Sequence, residues 1–160
     1  MKRVLTLKEG FMWFLKRFDE LNINELYEIL RVRNEVFVYE QKCLYQDLDY
    51  KDQQSYHLFY KENGKVVFYL RIIDKGVSYN EISIGRVLVV KTHRRKGLCR
   101  QGMLKSLKFI KNELKETQIR ISAQEYLIPF YEEFGFKTTS DLYFEDNLPH
   151  YEMFLDKVRV

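Results

Sequence analysis

The chain has 160 residues, 46% hydrophobic and 31% charged, with 27 Lys and Arg against 23 Asp and Glu for a net charge of +4. That balance suits one globular domain over residues 1–160, while 7 Gly and 2 Pro beside 12 Tyr and 12 Phe exclude a collagen-like, linker or disordered chain. No run approaches the roughly 18 uninterrupted apolar residues of a bilayer crossing. The opening MKRVLTLKEG is too short and too soon charged for a signal peptide, so a cytoplasmic location without a membrane partner is expected, with Cys43 and Cys99 as free thiols.

In chain order, Phe11 to Phe18 is aromatic-rich and reads as a strand. Asn22 and Glu25 stand at capping-box spacing, and Leu26, Ile29, Leu30, Val36 and Phe37 then predict a helix to the region of Tyr39. Gln41 to Gln54 reads as a long loop or short helix; its Asp47, Asp49 and Asp52 lack the central Gly and terminal Glu of a calcium loop, so no metal is expected. Tyr56–Lys61 and Lys65–Ile73 flank Asn63-Gly64, the signal for a tight hairpin. Glu81 to Val90 predicts a central strand, with Gly85 as its bulge or close-approach point. A basic turn follows, then a helix opening near Gly97 with Met103, Leu107, Ile110 and Leu114 on one buried stripe. Ile119–Ser122 reads as a strand, Glu125–Phe134 as a short helix, and Leu142–Glu145 and Tyr151–Leu155 as two final strands. Strand, turn, helix, strand implies a parallel crossover inside a mostly antiparallel sheet, an α+β fold.

Charge is unevenly spread. Between Lys91 and Arg120 ten basic residues face Glu113 and Glu116, a local +8, whereas eight acids from Glu125 to Asp156 face only Lys137; one segment suits an anion and the other a cation. The basic stretch Arg94, Arg95, Lys96, Gly97, Leu98, Cys99, Arg100 joins a strand to a helix, where unpaired N–H groups and the helix dipole converge on a site fit for a pyrophosphate. Gly97 lets backbone and phosphate approach closely. Neither a P-loop nor a GxGxxG fingerprint occurs.

Arg94, Gly97 and Cys99 resemble the phosphate motif of the GNAT acyltransferase superfamily, with Cys99 where that family places Gly or Ala. Gln124, Tyr131, Gly135 and Phe136 resemble its second motif, with Gln124 in place of the usual Asn. VFVYEQKC (Val36–Cys43), IGRVLV (Ile84–Val89) and EDNLPHYEM (Glu145–Met153) are similar to the ElaA-like subgroup, so the resemblance covers nearly the whole chain. It implies a mostly antiparallel sheet of about six to seven strands, splayed in the middle and flanked by about four helices, with acetyl-CoA as co-substrate. Its pyrophosphate would rest on the turn at Arg95, Lys96, Gly97, Leu98, Cys99 and Arg100, its pantetheine arm along Val87, Leu88 and Val89, and the arm's end at Gln124. A strand N–H near Leu88 or Val89 would polarise the thioester carbonyl.

On pattern alone Tyr131, between Phe130 and Phe134, reads as core; the resemblance makes it the general acid for the coenzyme A thiolate. For the base, Glu40 and His150 rank ahead of His57 and a water chain, because both stand in subgroup-like motifs, and either also suits an acceptor contact. The strand Glu81–Val90 carries no acid beyond its first residue, so the mid-strand carboxylate of some relatives is absent. His57 reads as a satisfied structural histidine, Arg33 and Arg86 as partners of nearby acids, and His93 as exposed. The expected acceptor is a small-molecule or peptide amine. Open alternatives are a non-catalytic coenzyme A binder, a nucleic-acid-binding module, disfavoured because no exposed aromatics interleave the basic stretch, and the different acyl donor of related acyl-homoserine-lactone synthases. A homodimer is left open.

Overall fold

The computed structural model describes residues 4–6 and 11–160. Asn22 caps the first helix as its spacing predicts: its side-chain oxygen accepts the Glu25 N–H at 2.9 Å, and the Glu25 carboxylate accepts the Asn22 N–H at 3.1 Å. Helix α1 (Ile23–Arg33) passes into a π-helical stretch over Asn34–Glu40, so the expected helix is present with its last part wound wider.

Strands β1 (Val4–Thr6), β2 (Phe11–Arg17), β3 (Ser55–Glu62), β4 (Lys65–Ile73) and β5 (Ser83–Val89) form one antiparallel sheet in that order. Asn63 and Gly64 make the β3–β4 turn at φ 49° and 77°, the positive pair a two-residue hairpin demands. In the second sheet β9 (Leu148–Leu155) pairs antiparallel with β6 (Ile119–Gln124), β7 (Lys137–Thr138) and β8 (Tyr143–Glu145). β9 starts earlier than its sequence pattern indicates because Asp146 and Asn147, both at positive φ, turn the chain directly from β8.

The predicted parallel crossover joins the two sheets. β5 leads through α2 (Leu98–Asn112) to β6, and these two strands share one parallel bridge, Ile82 with Ile119, beside the Arg120 N–H to Ile82 C=O bond of 3.0 Å. Past that bridge they belong to separate sheets, and a gap opens between them. The fold is thus α+β and splayed mid-sheet as expected, with nine strands among the described residues because β1, β7 and β8 are short additions. Glu125–Phe134 resolves into a 3₁₀ turn followed by α3 (Ile128–Glu132).

Met103, Leu107 and Ile110 bury the apolar stripe of α2 against the first sheet, while Leu114 lies beyond the helix end and is only partly buried. Gly102 allows the close approach: a Cβ there would stand 2.1 Å from the Phe68 ring. Among the described residues no helix is long and apolar enough to cross a membrane.

Candidate active site

Gly97 caps α2 in the left-handed region at φ 78°, a conformation glycine adopts without strain. The first intrahelical bond runs from the Gln101 N–H to the Gly97 C=O at 3.0 Å, so the N–H groups of Leu98, Cys99 and Arg100 have no partner within the helix. Arg95, Lys96 and Gly97 are exposed beside them. This is a cationic, open helix N-terminus of the kind that binds phosphate groups. Arg100 also pairs with Glu133, linking the turn to the end of α3. Burial pushes the Cys99 thiol up to about 11, so it stays protonated and is no nucleophile.

Arg94, the first residue of the phosphate motif, is turned away from this mouth. Its Nε donates to the Val89 C=O at 3.0 Å and its Nη2 to Glu40 at 2.8 Å, with a second Glu40 contact through Nη1. Glu40 is therefore engaged rather than free, and the Arg94 guanidinium holds its carboxyl below the usual range, which weakens it as a base.

β5 bulges one residue later than the glycine signal suggests. Arg71 pairs with Gly85 and Tyr69 with Leu88, so Arg86 and Val87 together oppose Leu70, and Arg86 takes the positive φ of 54°. The Val90 N–H bonds the Val67 C=O at 3.0 Å. Antiparallel alternation then turns Leu88 onto Tyr69 of β4 and Val89 toward the gap, where Arg94 meets its carbonyl. Of the three residues expected along a pantetheine arm, Val87 and the Val89 N–H face the gap, whereas the Leu88 backbone belongs to the β4 ladder.

The gap widens into a cleft of about 550 Å³ lined by Val87, Gln124, Tyr131 and His150 among others. Tyr131 is buried at its wall, and burial, with Cys99 and Tyr126 nearby, pushes its phenol well above the usual range, so it stays a neutral phenol. Gln124, paired with His150 across β6 and β9, reaches Gln41 at 3.5 Å. His150 places Nδ1 2.7 Å from the Leu148 C=O; the Nδ1–H tautomer that donates there leaves the Nε2 lone pair available, 3.7 Å from Glu145. Cys43 donates from Sγ to the Asp146 C=O at 3.1 Å, tying the 41–51 loop to the β8–β9 turn over the cleft.

His57 lies outside this set. It is buried between the Tyr69 hydroxyl at 2.8 Å and the Asp52 C=O at 2.9 Å, a structural histidine as the sequence suggests. His93 is half-buried and paired with Glu62, not exposed. Arg71 and Tyr45, which no sequence motif marks, line the cleft beside Asp49 of the acidic loop; Arg71 sits in a strand so uniformly buried that only its charge distinguishes it.

Residues 20–157 match the acetyltransferase (GNAT) domain family. The chain belongs to the GNAT acetyltransferase family. Within it, the chain is 41% identical to a UPF0039 protein of Schizosaccharomyces pombe over 88% of its own length and 94% of that protein. A solved acyl-CoA N-acyltransferase from Pseudomonas aeruginosa superposes with a TM-score of 0.86 at 35% identity, covering 91% of this chain and 99% of that one. Escherichia coli ElaA superposes at 0.83 with 33% identity, covering 89% and 98%. The protein is a GNAT acyltransferase with ElaA among its homologues.

Proposed function

We propose that this GNAT protein transfers an acetyl group from acetyl-CoA to a primary amine by direct attack in a ternary complex. The observation that carries the reading is the cleft at the divergence of β5 and β6, lined by Val87, Gln124, Tyr131 and His150, on a chain whose β5 leads into the open N-terminus of α2. The Pseudomonas relative's name, acyl-CoA N-acyltransferase, supports a coenzyme A thioester as donor. The pyrophosphate accepts hydrogen bonds from the N–H groups at Leu98 to Arg100, between the charges of Arg95 and Lys96. The pantetheine arm lies beside Val87 and Val89, and its end meets Gln124.

The amine nitrogen, having given one proton to His150 Nε2, attacks the thioester carbon. The Val87 N–H, off the β4 ladder at the bulge, stabilises the oxyanion. Collapse breaks the carbon–sulfur bond; Tyr131 protonates the leaving thiolate and recovers a proton from the amide nitrogen's second loss. The net products are the N-acetylated amine, coenzyme A as free thiol and one proton carried to solvent. Glu145 and Asp146 at the cleft rim favour an acceptor that arrives as a cation.

Isothermal titration of acetyl-CoA into the wild type and a Gly97→Glu variant tests the donor site. Micromolar binding lost in the variant is expected, since the new carboxylate repels phosphate and strains the left-handed position; absence of binding to the wild type overturns the proposal.

A further inference from the structure

Below the cleft, Arg33, Arg71 and Arg86 interlock with Asp47, Asp49 and Asp52 in a cluster of balanced charge. Arg71 gives Nη1 to Asp49 and Asp52 at 2.8 and 2.9 Å, and Nη2 to Asp49. Its Nε–H has no partner, and it is the one buried side-chain polar atom among the described residues so placed, on a residue only 2% exposed. Leaving a buried donor unmade costs about 1–3 kcal/mol, so such an atom calls for an explanation.

Gly85 supplies one. A Cβ at this position would lie 3.9 Å from Arg71 Nε and 4.0 Å from Ile73 Cδ1, and nothing in its backbone conformation requires glycine. Gly85, Arg71 and Ile73 all line the cleft, so the space that a side chain at 85 would take lies at its floor beside Nε. Arg86, the next residue, bonds Asp47 through Nε and Nη2 at 2.7 and 3.0 Å, and its Nη1 has no hydrogen bond among the described residues. Arg71 and Arg86 thus each bring an unpaired guanidinium donor to the cleft lining on the β4–β5 sheet, with Lys51 as a further cation, while Glu145, Asp146 and His150 come to it from the second sheet.

We infer that the niche over Arg71 and Gly85 is the carboxylate subsite of an acceptor that is itself an amino acid. Its carboxylate accepts from Arg71 Nε and Arg86 Nη1, and its amine lies between His150 and the thioester. Gly85 and Val87 line the same cleft two residues apart on β5, so one small acceptor can present its carboxylate and its amine to the two places. The inference rests on the acyl-transfer reading and narrows its acceptor.

The test measures coenzyme A thiol release from acetyl-CoA with each of the twenty free amino acids and with the matching carboxamides, in the wild type and in Gly85→Ala. The added methyl meets only ordinary contacts, so the variant folds, yet it fills the niche. At least one amino acid is expected to exceed its carboxamide tenfold or more in kcat/KM, with that preference lost in Gly85→Ala and the acetyl-CoA Kd unchanged. If acetyl-CoA binds but no acid outperforms its carboxamide, or none is acetylated, or the preference survives in Gly85→Ala, the subsite is refuted while the donor site stands. If acetyl-CoA does not bind, the acyl-transfer reading fails first.

Discussion

Replacing Asp52 with Ala removes the carboxylate on which two buried guanidinium groups converge, Arg33 Nη1 at 2.8 Å and Arg71 Nη1 at 2.9 Å. Both arginines are almost fully buried, so water cannot take over. Losing one partner of a buried pair costs about 3–5 kcal/mol, but each arginine keeps another acid: Arg33 retains Asp47 at 2.9 Å and Arg71 retains Asp49 at 2.8 Å. The expected loss therefore falls at the lower end, about 3 kcal/mol, or roughly 6–12 °C in Tm for a chain of this size.

Urea unfolding followed by circular dichroism measures the loss, with Glu116→Ala as control. That change breaks the exposed Lys75 pair and should move stability by less than about 0.5 kcal/mol. A destabilisation by Asp52→Ala no larger than the control's would refute the view that the cluster is a dry, interdependent floor, and with it the significance of the unpaired Arg71 Nε.

Tyr131→Phe should lower kcat by about 10²–10⁴-fold while leaving the acetyl-CoA Kd unchanged, read by steady-state kinetics and titration; an unchanged kcat removes the general-acid role. Gly102→Ala should cost about 1–3 kcal/mol, since the methyl meets the Phe68 ring at 2.1 Å, and a thermal melt equal to wild type would contradict the packing. Burial lowers the His57 imidazole from 6.5 to about 4, so between those values the unfolded chain binds the extra proton; stability should fall by about 3 kcal/mol as pH drops through that window, and a flat stability profile there would contradict the burial.

Features written in local chemistry were legible. The Asn63-Gly64 hairpin, the Asn22–Glu25 box and the Met103, Leu107 and Ile110 part of the α2 stripe each follow from a few neighbouring residues, and the structure has all three. The opening of α2 at Gly97 was legible for the same reason. Glu40 was not: its engagement depends on Arg94, which lies 54 residues away in the chain. Gly85 reads from its residue type as a bulge or close-approach point; the left-handed residue is its neighbour Arg86, which holds that conformation through tertiary contacts no local pattern records. Arg71 was invisible because a charge in the middle of β4 acquires meaning only when the loop acids are folded beneath it.

Those loop acids connect the two halves of the site. A residue with a side chain in the left-handed region costs about 1–3 kcal/mol, and Asp47 offsets that at Arg86 by accepting two hydrogen bonds, one at its carboxylate and one at its carbonyl. The same carboxylate accepts from Arg33 of α1 at 2.9 Å and from the Tyr45 hydroxyl at 3.0 Å. One aspartate thus holds helix, loop and bulged strand in a fixed relation. Because the bulge releases Val87 from the β4 ladder toward the gap, the 41–51 loop shapes the face of β5 assigned to the donor as well as the floor assigned to the acceptor. The aspartates whose spacing suggests a calcium loop instead face arginines, Asp47 bonding Arg33 and Arg86, Asp49 bonding Arg71, and Asp52 bonding Arg33 and Arg71, so the loop ties α1, β4 and the bulge of β5 together.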